Sequence, residues 1–147
     1  MMDANVRMVI NALAQDISQA ALMILQENRF DDKVFGQGIE IQVKDYENPL
    51  IEFIFHDYMV LMIEDELSGN FSVFPSLSDI REWILSKGLS ADNTTLSVVS
   101  EALWHIKNTN SPILEMLLNT TDELFETKWA DILFQTITKD LINFFNE

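Results

Sequence analysis

Two histidines, His56 and His105, are the side chains of this sequence that could exchange a proton near neutral pH without a shifted pKa. They lie far apart, and neither stands in an H-x-x-x-H or H-E-x-x-H arrangement that would set two imidazoles on one helical face around zinc. Glu101 falls one helical turn before His105, but one carboxylate and one imidazole are too few ligands for a metal. Gly36-Gln37-Gly38 is a lone GxG that follows no strand pattern and opens no helix pattern, so it reads as the lead-in to a hairpin, not as a pyrophosphate cradle. Asp31-Asp32 and Asp65-Glu66 lack the alternate spacing and central glycine of a calcium loop. No G-x-S-x-G elbow presents a serine. With no cysteine, disulfides and cysteine-ligated zinc or iron–sulfur sites are excluded. Carboxylates are abundant but accompany no nucleophile–base constellation. The expectation is a protein that is not an enzyme and carries no cofactor and no metal.

The balance of charge points the same way. A formal net charge of −15 argues against direct nucleic-acid binding, because neutralising phosphates is what gives such proteins their affinity. Between Lys44 and Arg81 no Lys or Arg occurs, whereas Asp45, Glu47, Glu52, Asp57, Glu64, Asp65, Glu66 and Asp79 all fall there. Such a run reads either as a solvated face that keeps the protein soluble or as a docking surface for a basic partner or a neighbouring subunit. Its best interface candidates are Asp57, Glu64, Asp65 and Glu66.

At 147 residues the chain suits one domain, 1–147, and its 48% hydrophobic content rules against disorder. The longest plain apolar runs, Ala20–Leu25 and Met59–Ile63, are well short of the ~20 residues that span a bilayer. Asp3 and Asp16 flank a periodic pattern with no basic lead, so a signal peptide is not expected. The absence of cysteine fits an intracellular fold. The N-x-S/T triplets at Asn70, Asn93 and Asn119 then read as turn and cap residues, not glycan acceptors.

The elements that must position these residues follow from periodicity. Val6, Ile10, Leu13, Ile17, Ala21 and Ile24 recur at helical spacing and predict one long helix over 4–28. Met8, Val9, Ala20 and Met23 widen its stripe enough to cover a sheet face. Residues 30–38 are a turn region. Ile39, Ile41 and Val43 alternate with polar residues as a half-buried strand, and LIEFIFH (50–56) is a second strand, with Ile51, Phe53 and Phe55 on one face. Asn48-Pro49 suits the turn between them. DYMVLMIEDE (57–66) is a strand or a short helix, which periodicity cannot separate, and 67–76 is a loop.

A short helix begins after Pro75, with Leu77, Ile80, Trp83 and Ile84 on one side and Lys87-Gly88 as its stop. Asn93 or Thr94 caps a second short helix carrying Leu96, Val99, Leu103 and Ile106, which ends at NTNSP (108–112). ILEMLL is one further turn or an extended piece. Thr120 and Glu123 have capping-box spacing for a last helix, with Phe125, Trp129, Ile132, Leu133, Ile137, Leu141 and Phe144 inward. Trp83 and Trp129 fall in apolar stripes and read as core, whereas Trp104 sits slightly off its helix's face and is the candidate interface aromatic. The fold class is α+β: a long N-terminal helix on a small antiparallel sheet, two short helices, and a long C-terminal helix.

That order of parts, with the block Tyr58, Glu64, Ser68-Gly69, Pro75, Ile80, Trp83, Ile84, Lys87, Gly88 and Leu89, resembles the head–tail joining and tail-completion proteins of tailed phages and prophages. The organisation covers nearly the whole chain, and the motif-level match covers 58–89. The chain departs from the family pattern at Asp65-Glu66, where a glycine is common, and at NTNSPIL, where a glycine before a proline-phenylalanine pair is usual. The resemblance implies a structural neck or minor tail protein that assembles as a homo-oligomeric ring with other neck or tail proteins. It would work in the virion or in the host cytoplasm during assembly. Asp57, Glu64, Asp65 and Glu66 would then face a neighbour or a DNA-filled lumen, and Gly69, Pro75 and the tryptophan block would be structural. The alternative is an acidic binding module or inhibitor, of anti-defence or antitoxin type, that engages a basic protein.

Overall fold

The computed structural model describes residues 4–45 and 50–146, and for Phe144 the backbone only. The Asn48-Pro49 turn, Glu47 and the inward placing of Phe144 lie outside the described residues. Helix α1 (Ala4–Glu27) leads through one helical turn, α2 (Asp32–Phe35), to strands β1 (Ile39–Val43) and β2 (Ile51–Phe55). Helices α3 (Tyr58–Leu67), α4 (Leu77–Ser86), α5 (Asn93–Thr109), α6 (Ile113–Leu124) and α7 (Ala130–Phe145) follow, the last two joined by a π turn, Phe125–Trp129. The architecture is the expected α+β arrangement of a long N-terminal helix, a two-stranded antiparallel sheet and a helical remainder.

Helix α1 buries Val6, Ile10, Leu13, Ile17, Ala21 and Leu25 at three- and four-residue steps. Met8 and Met23 are exposed, so its stripe is narrower than expected. By length and composition α1 is the one described helix apolar enough to cross a membrane. In the fold its apolar stripe lies against β1, α6 and α7. The chain leaves α1 through Arg29 in the left-handed region (φ 66), which turns Phe30 into the core.

Strand β1 pairs with β2 from Ile39↔Phe55 to Val43↔Ile51, which puts both alternating apolar sets on one face. Gly38 admits the close approach of the hairpin to α3, since a Cβ there would collide with Met59.

The ambiguous run 57–66 is helical. Met59, Leu61, Met62 and Ile63 of α3 are all buried, and a helix enclosed on nearly every side has no polar face to reveal its period. Ser76 caps α4 by accepting from the Asp79 N–H at 3.1 Å, and Gly88 (φ 73) closes its far end. Ile80 and Ile84 are fully buried, Trp83 is half-buried, and Leu77, expected inward, is exposed on the first turn.

Helix α5 is long, not short. Its cap is Asp92, which accepts from the Thr95 N–H at 2.8 Å; the charged carboxylate takes the role expected of Asn93 or Thr94. ILEMLL opens α6. The expected capping box at Thr120 and Glu123 does not form, because no Gly or Pro interrupts 113–129 and the helix runs on. The threonine beside it, Thr121, turns its hydroxyl back onto the Leu117 carbonyl at 2.8 Å instead. The extra residue per turn is absorbed at the π turn, which aims Trp129 at α1.

Most of the core forms one cluster in which α3 packs among α4, α5 and the end of α1. A second cluster gathers Leu13, Ile17 and Trp129 against Ile41, Ile51 and Phe53. Helix α7 passes beyond that layer. Ile137 and Leu141 on it, and Phe125 on the π turn, all expected inward, are exposed; Phe125 and Ile137 border an open groove beside α1 and are not packed into the core.

Candidate functional site

The four acids singled out on 57–66 have different surroundings. Glu64 accepts from the Trp83 indole N–H at 3.2 Å and from Lys87 Nζ at 2.8 Å, which holds its carboxyl below the usual range, Lys87 contributing most. Asp65 pairs at 2.7 Å with Lys107, whose side chain is 0% exposed. Glu66 reaches the first turn of α6 and accepts from the N–H groups of Leu114 (3.0 Å) and Glu115 (3.3 Å). Burial pushes its carboxyl above the ordinary value against those bonds. Asp57 alone stays clear of such partners. It is exposed, makes no cap bond, and has backbone angles (φ 53, ψ −126) that glycine adopts far more readily.

The residues of the motif block converge on one structural unit. Tyr58 donates its hydroxyl to the Ser90 carbonyl at 2.8 Å, tying the start of α3 to the chain beyond α4. Trp83 on α4 and Lys87, one turn further at the end of that helix, clamp Glu64 of α3. Ile80 and Ile84 fill the space between the two helices and α5. Pro75 precedes the Ser76 cap, and Gly69 takes a left-handed turn (φ 81) in the loop. The loop itself is anchored from α5, not from α4. Lys107 Nζ donates to the carbonyl of Phe71 (2.8 Å), approaches that of Asn70 (3.4 Å), and sits over the Phe71 ring.

Lys107 is the residue that sequence reading missed. Its signal is a lysine directly after Ile106 and one helical turn after the inward Leu103. A cation at an inward helical position requires a buried counter-charge.

Of the remaining candidates, His56 Nε2 lies 2.9 Å from Glu40 Oε2 across the hairpin. Glu101 pairs loosely with Arg29 and not with His105. Trp129 is core, its indole N–H donating to Asp16 at 2.7 Å. Trp104 is half-buried on the wall of a cleft beside α4. Among the described residues no group of three or more His, Asp or Glu is placed to hold a metal ion.

The most conspicuous surface is apolar. Phe134, Ile137 and Leu141 recur at i, i+3 and i+7 on α7 and are 70%, 44% and 53% exposed, with Ile142 beside them. Ile137 also lines a groove of about 440 Å³ between α1, β2 and α7, walled by Val6, Ile10, Ile51, Phe53 and Leu133. Helix face and groove therefore form one continuous apolar surface. Comparison with protein-family models, with curated proteins and with solved structures returns no match.

Proposed function

We propose that the chain is a non-catalytic assembly protein, of the head–tail joining or tail-completion kind, and that the α7 face and its adjoining groove are covered by a second copy. The observation that carries this reading is the exposed stripe Phe134, Ile137, Leu141 and Ile142. Four such side chains at these exposures present on the order of 400 Å² of apolar surface, as much as the largest patch on an ordinary monomer. A stable interface takes about 800 Å² from each partner, and the groove alongside extends the patch toward that size.

Charge also favours self-association at this face. Helix α7 holds only Asp131, Asp140 and Lys139 as charged residues, so like-charge repulsion is weakest where the apolar stripe lies. The two-stranded sheet, whose edges pair with no further strand among the described residues, offers a neighbour backbone groups to cover as well. The alternative of an acidic module for a basic partner has less support. Of Asp57, Glu64, Asp65 and Glu66, three already spend their charge on Lys87, Lys107 and the α6 amides. The same engagement argues against those acids lining a DNA lumen.

Light scattering and sedimentation over a wide concentration range test the reading. The wild type is expected to form discrete oligomers, and Leu141→Glu, at an exposed position, to remain a folded monomer. A wild type that is strictly monomeric at millimolar concentration overturns self-association through this face.

A further inference from the structure

A second site, sharing no lining residue with the assembly surface, lies along α4 and α5. A cleft of about 840 Å³ opens between α4, α5 and the corner after α1. Its volume falls in the range of small-molecule sites, and Leu77, Leu96 and the Trp104 ring give it an apolar wall. Arg29 and Arg81 both line it, in a chain with only 9 Lys and Arg against 24 Asp and Glu. Arg81 donates to a neutral group, Asn93 Oδ1, at 3.3 Å, and its charge meets no carboxylate among the described residues. Arg29 pairs with Glu101, which also lines the cleft, at a long and exposed 3.7 Å. One guanidinium charge is thus left over at the cleft.

The floor supplies an independent observation. Ser100 is 2% exposed, and neither its hydroxyl nor the buried Trp104 Nε1 has a hydrogen-bond partner among the described residues. An indole N–H can only donate. The other two tryptophans show how this chain satisfies that donor: Trp83 and Trp129 give theirs to the carboxylates of Glu64 and Asp16. At Trp104 no carboxylate among the described residues takes the indole N–H.

We propose that this cleft binds a small organic oxyanion, a carboxylate or phosphate carried on an apolar body. The anionic oxygens accept from the Trp104 indole and the Ser100 hydroxyl and pair with Arg81 and Arg29. The apolar body lies against Leu77 and Leu96. Glu101, held by Arg29, keeps the site selective for a single anionic head over a polyanion.

The indole N–H resonances of the ¹⁵N-labelled 147-residue chain report this directly. Trp104→Phe assigns the Trp104 signal, and the Trp83 and Trp129 signals serve as internal controls. Benzoate and phenyl phosphate are the probes, and benzyl alcohol is the neutral comparison. A saturable shift of the Trp104 signal with either anion, the other two indoles unmoved, is the expected result, and the tighter probe identifies the head group. Arg81→Gln is expected to weaken binding about tenfold or more, the worth of one charge-assisted bond. Arg29→Asn, which tolerates the left-handed backbone, is expected to weaken it as well. No Trp104 shift up to about 10 mM of either anion, where even weak specific binding registers, overturns the proposal. So does an equal shift with benzyl alcohol, or an affinity unchanged in Arg81→Gln.

Discussion

Lys107 shows most directly how this acidic chain uses its few cations. Its ammonium is enclosed by Asp65, the Phe71 carbonyl and the Phe71 ring, so one buried pair ties α5 to both α3 and the loop after it. Removing one partner strands the other charge away from water. Lys107→Met or Asp65→Asn alone is expected to cost about 3–5 kcal/mol in urea denaturation, and the double change Lys107→Met with Asp65→Leu distinctly less than the sum. Trp83 is a weaker support than its place in the motif suggests. It is only partly buried and its indole N–H reaches Glu64, so Trp83→Ala is expected to lose about 2–3 kcal/mol, not the 3–5 of a fully buried ring. Asp57 holds a conformation that costs a side-chain-bearing residue about 1–3 kcal/mol. Asp57→Gly is therefore expected to raise stability by about 1 kcal/mol after glycine's greater freedom in the unfolded chain is subtracted. A lower midpoint in the glycine variant would show that the Asp57 side chain contributes a bond of its own.

At the scale of elements, α3 organises the molecule. Its buried face meets α4, α5 and the hairpin, and each acid at its end is aimed at a different neighbour. Glu66 makes the junction of α3 with α6 sensitive to pH. Its carboxyl is raised by burial above the ordinary 4.5, so between 4.5 and the raised value the folded protein keeps a proton that the unfolded chain has released. That contribution favours folding at low pH and declines as pH rises through the raised pKa. The stability of wild type relative to Glu66→Gln is accordingly expected to fall between pH 4 and pH 7, as read from paired urea titrations. Taking the difference cancels Asp16, Glu64 and Asp92, whose lowered carboxyls work in the opposite direction. The absent helix break at Thr120 is the other lesson at this scale. A capping sequence acts only where the backbone is ready to leave the helix, and α6 is held in place by Ile113 and Leu117 in the core on one side and by the π turn with Trp129 on the other.

At the scale of the whole molecule, two faces remain open: the apolar stripe of α7 with its groove, and the arginine-lined cleft beside α4. They lie on different elements and make separable predictions, one read in oligomeric state and the other in a single indole resonance. By itself the sequence determined the long first helix, the antiparallel hairpin, the stop at Gly88 and the buried Ile80 and Ile84. These follow from period, turn chemistry and left-handed glycine, which are properties of neighbouring residues. Only the tertiary structure decided that 57–66 is a helix, that α6 and α7 are continuous, that Lys107 is buried, and that Ile137 and Leu141 face outward. A run that is apolar throughout carries no period, and an amphipathic stripe records which side is apolar but not whether anything lies against it. The acids of α3 were legible as a cluster. Their partners Lys87, Lys107 and the α6 amides come from 23 or more residues further along the chain, so only folding brings them within hydrogen-bonding distance.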